Sequence, residues 1–194
     1  MPHSIPKTEP KAEPRFVPNP VLFHHSVPPL RTTMIDVALR PATAEDIPAL
    51  ASLYRETVLA HAPQHYSPAQ TQAWAAFGAD TPAFRRFILG ATTYVAEAGA
   101  ILGFGGLATD GHITALYVRH DGLGQGIGSR LLKTLLDQAH QEKLPRLYAE
   151  ASAFSLGLFQ KFGFRHYATD RVERGGVEFE RYLVEKMPLL AISK

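Results

Sequence analysis

Residues 116–132 read LYVRHDGLGQGIGSRLL, and this stretch decides the fold. Glycine occupies four of the seven positions from 122 to 128, after an apolar run and before a segment whose leucines recur at helical spacing. Glycine costs backbone entropy wherever it stands, so four of them need a reason. A strand, a glycine loop and a helix in this order direct backbone N–H groups and the positive end of the helix dipole at one point. The stretch therefore predicts a phosphate or pyrophosphate site, with a tight turn that binds nothing as the alternative.

Two common phosphate-binding fingerprints do not fit this loop. A dinucleotide-binding GxGxxG would need glycine at position 125 or 127, where the chain has Gln125 and Ile127. A P-loop would need Gly-Lys followed by Ser or Thr, and no lysine follows these glycines directly. The loop must therefore be interpreted from its surroundings.

Strand and helix patterns alternate on both sides of the loop. Period-2 or apolar runs predict strands over 35–40, 92–98, 101–108, 112–118 and 146–151, and a final hairpin about the turn Arg174-Gly175-Gly176. Cap signals predict helices that start at Thr43, Ser67 and Thr81, a further helix after the glycine loop, and a short one from Ser152 to Gly163.

The glycine stretch resembles the acetyl-CoA-binding segment of the GNAT superfamily of N-acetyltransferases, in which Arg/Gln-x-x-Gly-x-Gly/Ala follows an apolar strand. A second segment, EASAFSLGLFQKFGF at 150–164, is similar to that family's Asn/Ser-x-x-Ala-x-x-Phe-Tyr-x-x-x-Gly-Phe. The resemblance covers about residues 35–187. It implies an α/β (α+β) fold with a mixed, mostly antiparallel central sheet and helices on both faces. It also implies that the middle strands, 112–118 and 146–151, splay apart.

The resemblance implies an N-acetyltransferase that moves the acetyl group of acetyl-CoA directly to a primary amine of a small molecule or peptide. A catalytically silent GNAT-like module that binds acyl-CoA is the alternative. The N–H of Tyr117 or Val118 would polarise the thioester carbonyl. The residues expected to bind the cofactor are Leu116, Tyr117, Val118, Leu123, Gly124, Gln125, Gly126, Ile127, Gly128, Ser129, Arg130, Ser152 and Phe159.

Two positions depart from the family pattern. Leu123 stands where the family has Arg or Gln, so this residue would contribute mainly its backbone N–H. Phe159 stands where a tyrosine often protonates the leaving thiolate, and phenylalanine has no proton to give. Either another group supplies that proton or the thiolate leaves without help, since a thiol with a pKa near 8.5 is a good leaving group at neutral pH.

A neutral amine requires a base, because an alkylamine ordinarily has a pKa near 10. His112 lies about where some family members have a catalytic glutamate, and an imidazole titrates in a range that suits this task. Alternation along the strand would put Thr114, Leu116 and Val118 on the same face as His112. Glu150, on the other splayed strand, is the alternative base. Tyr148 is the remaining catalytic candidate and, with Tyr167, could replace the missing acid.

The early helices are expected to form the acceptor pocket. Residues 61–74, HAPQHYSPAQTQAW, supply Tyr66, Gln70 and Trp74, and the last two share a helix face. A core role for the aromatic residues is the alternative. His61 and His65 have a spacing that could hold a metal, but no third ligand is nearby in sequence, so no metal site is predicted.

Composition limits the remaining classes. Eight of the fifteen prolines fall in residues 1–33, which predicts an unfolded tail followed by one domain over 34–194. The tail carries the whole net charge of +2, so the neutral body argues against nucleic acid as a partner. There are no cysteines and no apolar run long enough for a membrane span, so we expect a cytoplasmic protein without a membrane partner. A homodimer remains open.

Overall fold

The computed structural model describes residues 36–187, and the predicted tail at 1–33 lies outside the described residues. The strands are β1 (Ala38–Pro41), β2 (Thr92–Ala98), β3 (Ala100–Leu107), β4 (Ile113–Val118), β5 (Leu147–Ala151), β6 (Arg165–Arg174) and β7 (Val177–Lys186). The helices are α1 (Ile47–His61), α2 (Pro68–Ala75), α3 (Pro82–Leu89), α4 (Ile127–Gln141) and α5 (Leu156–Lys161).

The cap signals locate the helix starts. Ser67 accepts a hydrogen bond from the N–H of Gln70 at 3.2 Å, and the Gln70 side chain accepts one from the N–H of Ser67 at 2.8 Å. This reciprocal pair opens α2. Thr81 accepts from the N–H of Phe84 at 3.1 Å and opens α3. Both starts confirm the sequence prediction.

Helix α1 begins later than the cap at Thr43 predicted, after a single 3-10 turn over Ala44–Asp46. The Asp46 carboxylate accepts from the N–H of Thr43 at 2.7 Å and takes both guanidinium arms of Arg40 at 2.8 Å. The Asp46 carboxylate therefore joins Arg40 of β1 to the residues that precede α1. The Arg40 hydrogen bonds are the main reason that the pKa of Asp46 falls to about 2.

The strands form two antiparallel sheets, in the orders β1-β2-β3-β4 and β5-β7-β6. Within residues 36–187 the sheets are bridged at one parallel pair, His112 with Tyr148, where the N–H of Tyr148 donates to the carbonyl of Gly111 at 3.1 Å. Beyond that pair β4 and β5 diverge. The structure confirms the splayed middle strands, and the central sheet is divided into two parts along this gap.

Helices cover both faces of the first sheet. Val95 of β2 and Phe104 of β3 are fully buried under α1 and α3. Ala96 and Leu102, on the same strands, lie with Leu131 of α4 in a separate apolar cluster. Val95 and Ala96 are neighbours on β2 and point to opposite faces, so these two clusters lie on opposite sides of the sheet. Leu102 joins the Ala96 side because it lies at a bulge, where Ala96 pairs with Gly103 and Glu97 with Ile101. The predicted arrangement of helices on both faces is confirmed.

The expected alternation along β4 is interrupted. Gly106 pairs with Ala115 but Leu107 pairs with Ile113, so Thr114 has no partner on β3 and forms a bulge. The bulge lets both Ile113 and Leu116 pack among the α4 side chains. His112 and Thr114 therefore do not share one face with Leu116 and Val118, and that expectation was wrong.

None of the helices within residues 36–187 combines the length and the apolar character needed to cross a bilayer.

Candidate active site

The gap between β4 and β5 opens into two adjoining cavities. The first, of about 220 Å³, reaches Leu123 and Gly128 and is called the loop cavity here. The second, of about 610 Å³, reaches Arg174 and Gly175 in the β6–β7 hairpin and is called the hairpin cavity. The residues that line both cavities are Trp74, Ile113, Thr114, Tyr117, Glu150 and Ser152. This shared set marks where the two cavities meet.

The four glycines of the loop serve two purposes. Gly124 and Gly126 have φ values of +76° and +81°, which side chains rarely tolerate. Gly122 and Gly128 lie at close contacts instead. A Cβ on Gly128 would stand 3.2 Å from Leu158 of α5, and one on Gly122 would stand 3.0 Å from Ile127. Gly124 and Gly126 therefore allow the sharp turn before α4, and Gly122 and Gly128 allow the backbone to lie close to Ile127 and Leu158.

The first turn of α4 has unpaired backbone donors. The N–H of Arg130 is the first to bond within the helix, to the carbonyl of Gly126 at 3.0 Å. The N–H groups of Ile127, Gly128 and Ser129 precede it and have no intrahelical acceptor. Because α4 is 15 residues long, its dipole adds positive potential at this end. The loop has the form of an anion site built from backbone groups.

The side chains of this loop are mostly engaged elsewhere. The Arg130 guanidinium donates to the carbonyl of Val37. Gln125 donates to the carbonyl of Asp121 at 3.0 Å, and Arg119 forms an ion pair with Asp121 at 2.6 Å. Leu123 is 48% exposed at the edge of the loop cavity. An anion here would meet backbone donors before side-chain charges.

Strand β4 presents an open edge to the cleft. The N–H of Arg119 donates to the carbonyl of Leu102 on β3. Every second residue of a strand directs its N–H and C=O to the same side, so the backbone groups of Tyr117 also face β3. Those of Leu116 and Val118 face the gap. The Thr57 hydroxyl donates a hydrogen bond to the carbonyl of Val118 at 3.1 Å. The N–H of Val118 is not used in this bond. Of the two amides predicted to polarise a carbonyl, the geometry directs that of Val118 toward the cleft.

His112 and Glu150 form a pair at the bridged end of the gap. The Nε2 atom of His112 lies 2.8 Å from Oε2 of Glu150, and each side chain is 28% exposed. This hydrogen bond is the main reason that the pKa of Glu150 is lowered. The His112 ring stacks on Tyr148 with ring centroids 4.8 Å apart. The two predicted bases are therefore one unit.

Tyr148 supports this pair from behind. Its hydroxyl donates to Asp110 at 2.6 Å, and this bond raises the pKa of Tyr148 to about 12. Glu150 lines both cavities, whereas neither His112 nor Tyr148 is among the residues between 36 and 187 that line either one. Glu150 thus faces the cleft, His112 stands behind it, and Asp110 holds the phenol proton of Tyr148.

Phe159 lies in the wall of the loop cavity, 3% exposed, with its ring edge-on to Phe164 at 5.1 Å. Ser152 lines both cavities, and its N–H donates to the Ser155 hydroxyl at 3.0 Å. The position of the family's tyrosine therefore borders the cleft without a hydroxyl group.

The predicted acceptor residues separate into two groups. Tyr66, Trp74 and Phe179 form an aromatic wall of the hairpin cavity, with ring centroids between 5.3 and 6.5 Å apart. Gln70 does not line either cavity. Besides capping α2, its side chain donates to the carbonyl of Glu178 at 2.8 Å and so ties α2 to β7. Gln70 positions the wall that Trp74 and Tyr66 form.

The sequence predicted a role for Tyr117 through its backbone N–H and as a cofactor-binding residue but not through its phenol, and it did not point to Tyr54 or Arg174. The phenol oxygen of Tyr117 accepts from Nε1 of Trp74 at 3.3 Å, and burial raises the pKa of Tyr117. Tyr54 of α1 packs against it with ring centroids 4.5 Å apart. Arg174 stands at the mouth. Alternation along β4 could have indicated Tyr117, but no local signal marks Tyr54 or Arg174.

The two histidines considered for a metal lie apart from the His112–Glu150 pair. His61 lines the loop cavity, and His65 packs on Phe154 with ring centroids 4.7 Å apart. Within the part of the chain that the structure describes, no three His, Asp or Glu side chains group as a metal site.

Comparisons with known proteins agree with this geometry. The family described as "Acetyltransferase (GNAT) domain" matches residues 62–186. Phosphinothricin N-acetyltransferase of Streptomyces coelicolor is 32% identical over 163 residues, which cover 76% of this chain and 91% of the relative. A GCN5-related N-acetyltransferase structure from Rhodopseudomonas palustris superposes with a TM-score of 0.74 at 28% identity, covering 77% of this chain and 94% of that one. The PaiA N-acetyltransferase of Thermoplasma acidophilum, solved with coenzyme A, has the same fold, with a TM-score of 0.65, 18% identity and coverage of 78% and 98%.

Proposed function

The chain belongs to the GNAT family of acetyltransferases, and we propose that it transfers the acetyl group of acetyl-CoA directly to a primary amine. The observation that carries the proposal is the cleft itself. One cleft connects a backbone anion site at the start of α4, an open strand edge on β4 and an ionised carboxylate at Glu150.

The described residues fit acetyl-CoA. The N–H groups at the start of α4 would bind the pyrophosphate, as backbone donors at a helix N-terminus do. The free backbone groups of Leu116 would pair with the pantetheine arm in the manner of an added strand. Acetyl-CoA supplies an activated acyl thioester. Val118 would then donate its N–H to the acyl oxygen, where negative charge develops.

The His112–Glu150 pair would remove the proton from the amine. Glu150 lines both cavities and would accept an N–H of the incoming ammonium group. The proton passes across the 2.8 Å contact to His112 and from there to solvent, since the imidazole is 28% exposed. The neutral amine nitrogen then bonds to the acyl carbon as the carbon–sulfur bond breaks, and the second proton of the nitrogen is lost to solvent as the amide forms. Because Phe159 offers no proton, the cofactor leaves as the thiolate, which a thiol pKa near 8.5 makes feasible.

A small-molecule acceptor suits the hairpin cavity better than a peptide. The cavity volume of about 610 Å³ lies in the range typical of small-molecule sites, and aromatic side chains wall it. The Streptomyces coelicolor relative is named for phosphinothricin, which supports an acceptor of this kind.

The test mixes purified protein and acetyl-CoA with a panel of amines and follows the release of free thiol. Thiol release with at least one amine, lowered by about 10²-fold or more in Glu150→Gln, is the expected result. Gln160→Ala, a change on the surface of α5, serves as the control. Binding of coenzyme A without thiol release from any amine would favour the silent binding module instead.

Three properties stay predictions. We expect a cytoplasmic location, and a homodimer remains open. We also expect residues 34–194 to act without the proline-rich tail. A chain beginning at Met34 should keep the coenzyme A affinity of the full chain by calorimetry.

A further inference from the structure

One face of the β6–β7 hairpin borders the hairpin cavity. Paired residues on antiparallel strands share a face, and this face carries Arg174 as well as the pairs Val172–Phe179 and Asp170–Arg181. Arg181 is neutralised by Asp170, whose two oxygens lie 2.7 and 3.1 Å from its guanidinium. Arg174 makes no ion pair or hydrogen bond through its guanidinium within residues 36–187.

The acidic side chains of β7 lie on the other face. Glu178 pairs with Arg171 at 3.2 Å, and both alternate away from Phe179. Glu180 is among the residues that line the hairpin cavity, but its side chain alternates away from Phe179 and hydrogen-bonds to Tyr182 on the outer face. Burial and this hydrogen bond raise the pKa of Tyr182. The remaining carboxylate of the cavity, Glu150, is held by His112. Arg174 is therefore an uncompensated positive charge on the cavity side.

A phenol inside the cavity, that of Tyr117, adds a hydrogen-bond donor, and the buried Tyr54 hydroxyl is hydrogen-bonded to it. Tyr117 accepts from the indole N–H of Trp74, which is a donor only, so the phenol proton of Tyr117 stays available. Burial is the main reason that the pKa values of Tyr117 and Tyr54 are raised, and both remain protonated at neutral pH. The charge of Arg174 acts on both phenols in the opposite direction, which is consistent with its place at the same cavity.

We propose that the acceptor is an amine that also carries an anionic group, bound by Arg174 with the phenol of Tyr117. The amine faces Glu150, and an apolar body lies against Trp74 and Phe179. This inference rests on the proposed acetyl transfer and adds the class of acceptor. It follows from a cavity that has an acidic residue for an ammonium group and separate cationic and phenolic donors for an anion.

The experiment compares acceptors that differ only in the second charge. Benzylamine, para-(aminomethyl)benzoate and para-xylylenediamine are one set, and each common amino acid with the amine that lacks its carboxylate is another. The carboxylate compounds should have a kcat/KM about tenfold higher or more, as expected for a charge-assisted hydrogen bond. Arg174→Gln should remove this preference mainly through KM, and Arg174→Glu should turn it toward the diamine.

Arg171→Gln is the matched control, because Arg171 lies on the same strand and faces outward. It should keep the parental preference. Equal kcat/KM values for charged and uncharged partners, or an equal loss for both in Arg174→Gln, would overturn the inference while leaving acetyl transfer intact. Failure of every amine to release thiol would overturn the proposed function and the inference with it.

Discussion

Replacing His112 with alanine tests how the His112–Glu150 pair takes the proton. The change removes the 2.8 Å hydrogen bond but leaves the Glu150 carboxylate at the cleft. General base catalysis contributes about 10²–10⁴-fold to a rate. We expect a loss of about 10²–10³-fold, because Glu150 and water remain. This loss corresponds to about 2.7–4 kcal/mol at about 1.36 kcal/mol for each factor of ten.

The same change should scarcely affect folding. Both side chains of the pair are 28% exposed, and such ion pairs contribute less than about 1 kcal/mol to the free energy of unfolding. The melting temperature should fall by no more than about 4 °C. A loss of rate in a protein that melts normally can then be assigned to proton transfer.

The assay follows initial rates of thiol release across neutral pH at saturating acetyl-CoA. His112→Gln keeps a hydrogen-bond donor for Glu150 but cannot take up the proton, so it should be as slow as His112→Ala. His166→Ala is the control, since His166 lies on β6 and bonds to Thr169. Recovery of the rate in His112→Gln would show that His112 only orients Glu150. A parental rate in His112→Ala would refute any role for His112.

Three other changes test the anion site, the missing acid and the start of α1. Gly126→Glu should weaken coenzyme A binding at least about 100-fold by calorimetry, because its carboxylate would repel the pyrophosphate, whereas Gly157→Ala, which faces open space, should not. Phe159→Tyr should match or exceed the parental thiol-release rate below neutral pH if a phenol there reaches the thiolate, and a slower enzyme would contradict this. Asp46→Asn should lower the free energy of unfolding, measured in urea at neutral pH, by about 1–2 kcal/mol. The same change at the exposed Asp80 should lower it by about 0.5 kcal/mol or less. Because the pKa of Asp46 is lowered from 3.8 to about 2, that stabilisation is complete above about pH 4, and the difference from wild type should vanish as the pH falls through about 2.

Local signals in the sequence predicted most of the elements. Ser67 and Thr81 locate helix starts because a capping side chain bonds within its own turn. The glycine loop was predicted for the same reason, since a positive φ at Gly124 and Gly126 is a local requirement. These features depend on neighbours within a few residues, which a single sequence contains.

Features that depend on distant partners were missed. The bulge at Thr114 comes from the register with β3, and it moved His112 off the face that alternation assigned to it. Gln70 was expected in the pocket but is used to bond the carbonyl of Glu178, 108 residues away. The phenol of Tyr117 is held in the site by Trp74 of α2 and Tyr54 of α1, which lie far from it in the sequence.

The bridge between His112 and Tyr148 has a mechanical consequence. The two sheets are joined where the proposed base stands, and Gly111 permits the joint because a Cβ there would lie 2.0 Å from the carbonyl oxygen of Arg146. An opening of the gap that keeps this bridge would pivot about it. Val118 lies six residues along β4, less than about 20 Å from the pivot at about 3.3 Å per residue because Thr114 is bulged, so the mouth beside the glycine loop would swing through the widest arc. Such a motion would widen the cleft beside the glycine loop, where the proposed cofactor enters, while Glu150, two residues from the pivot, would hardly shift.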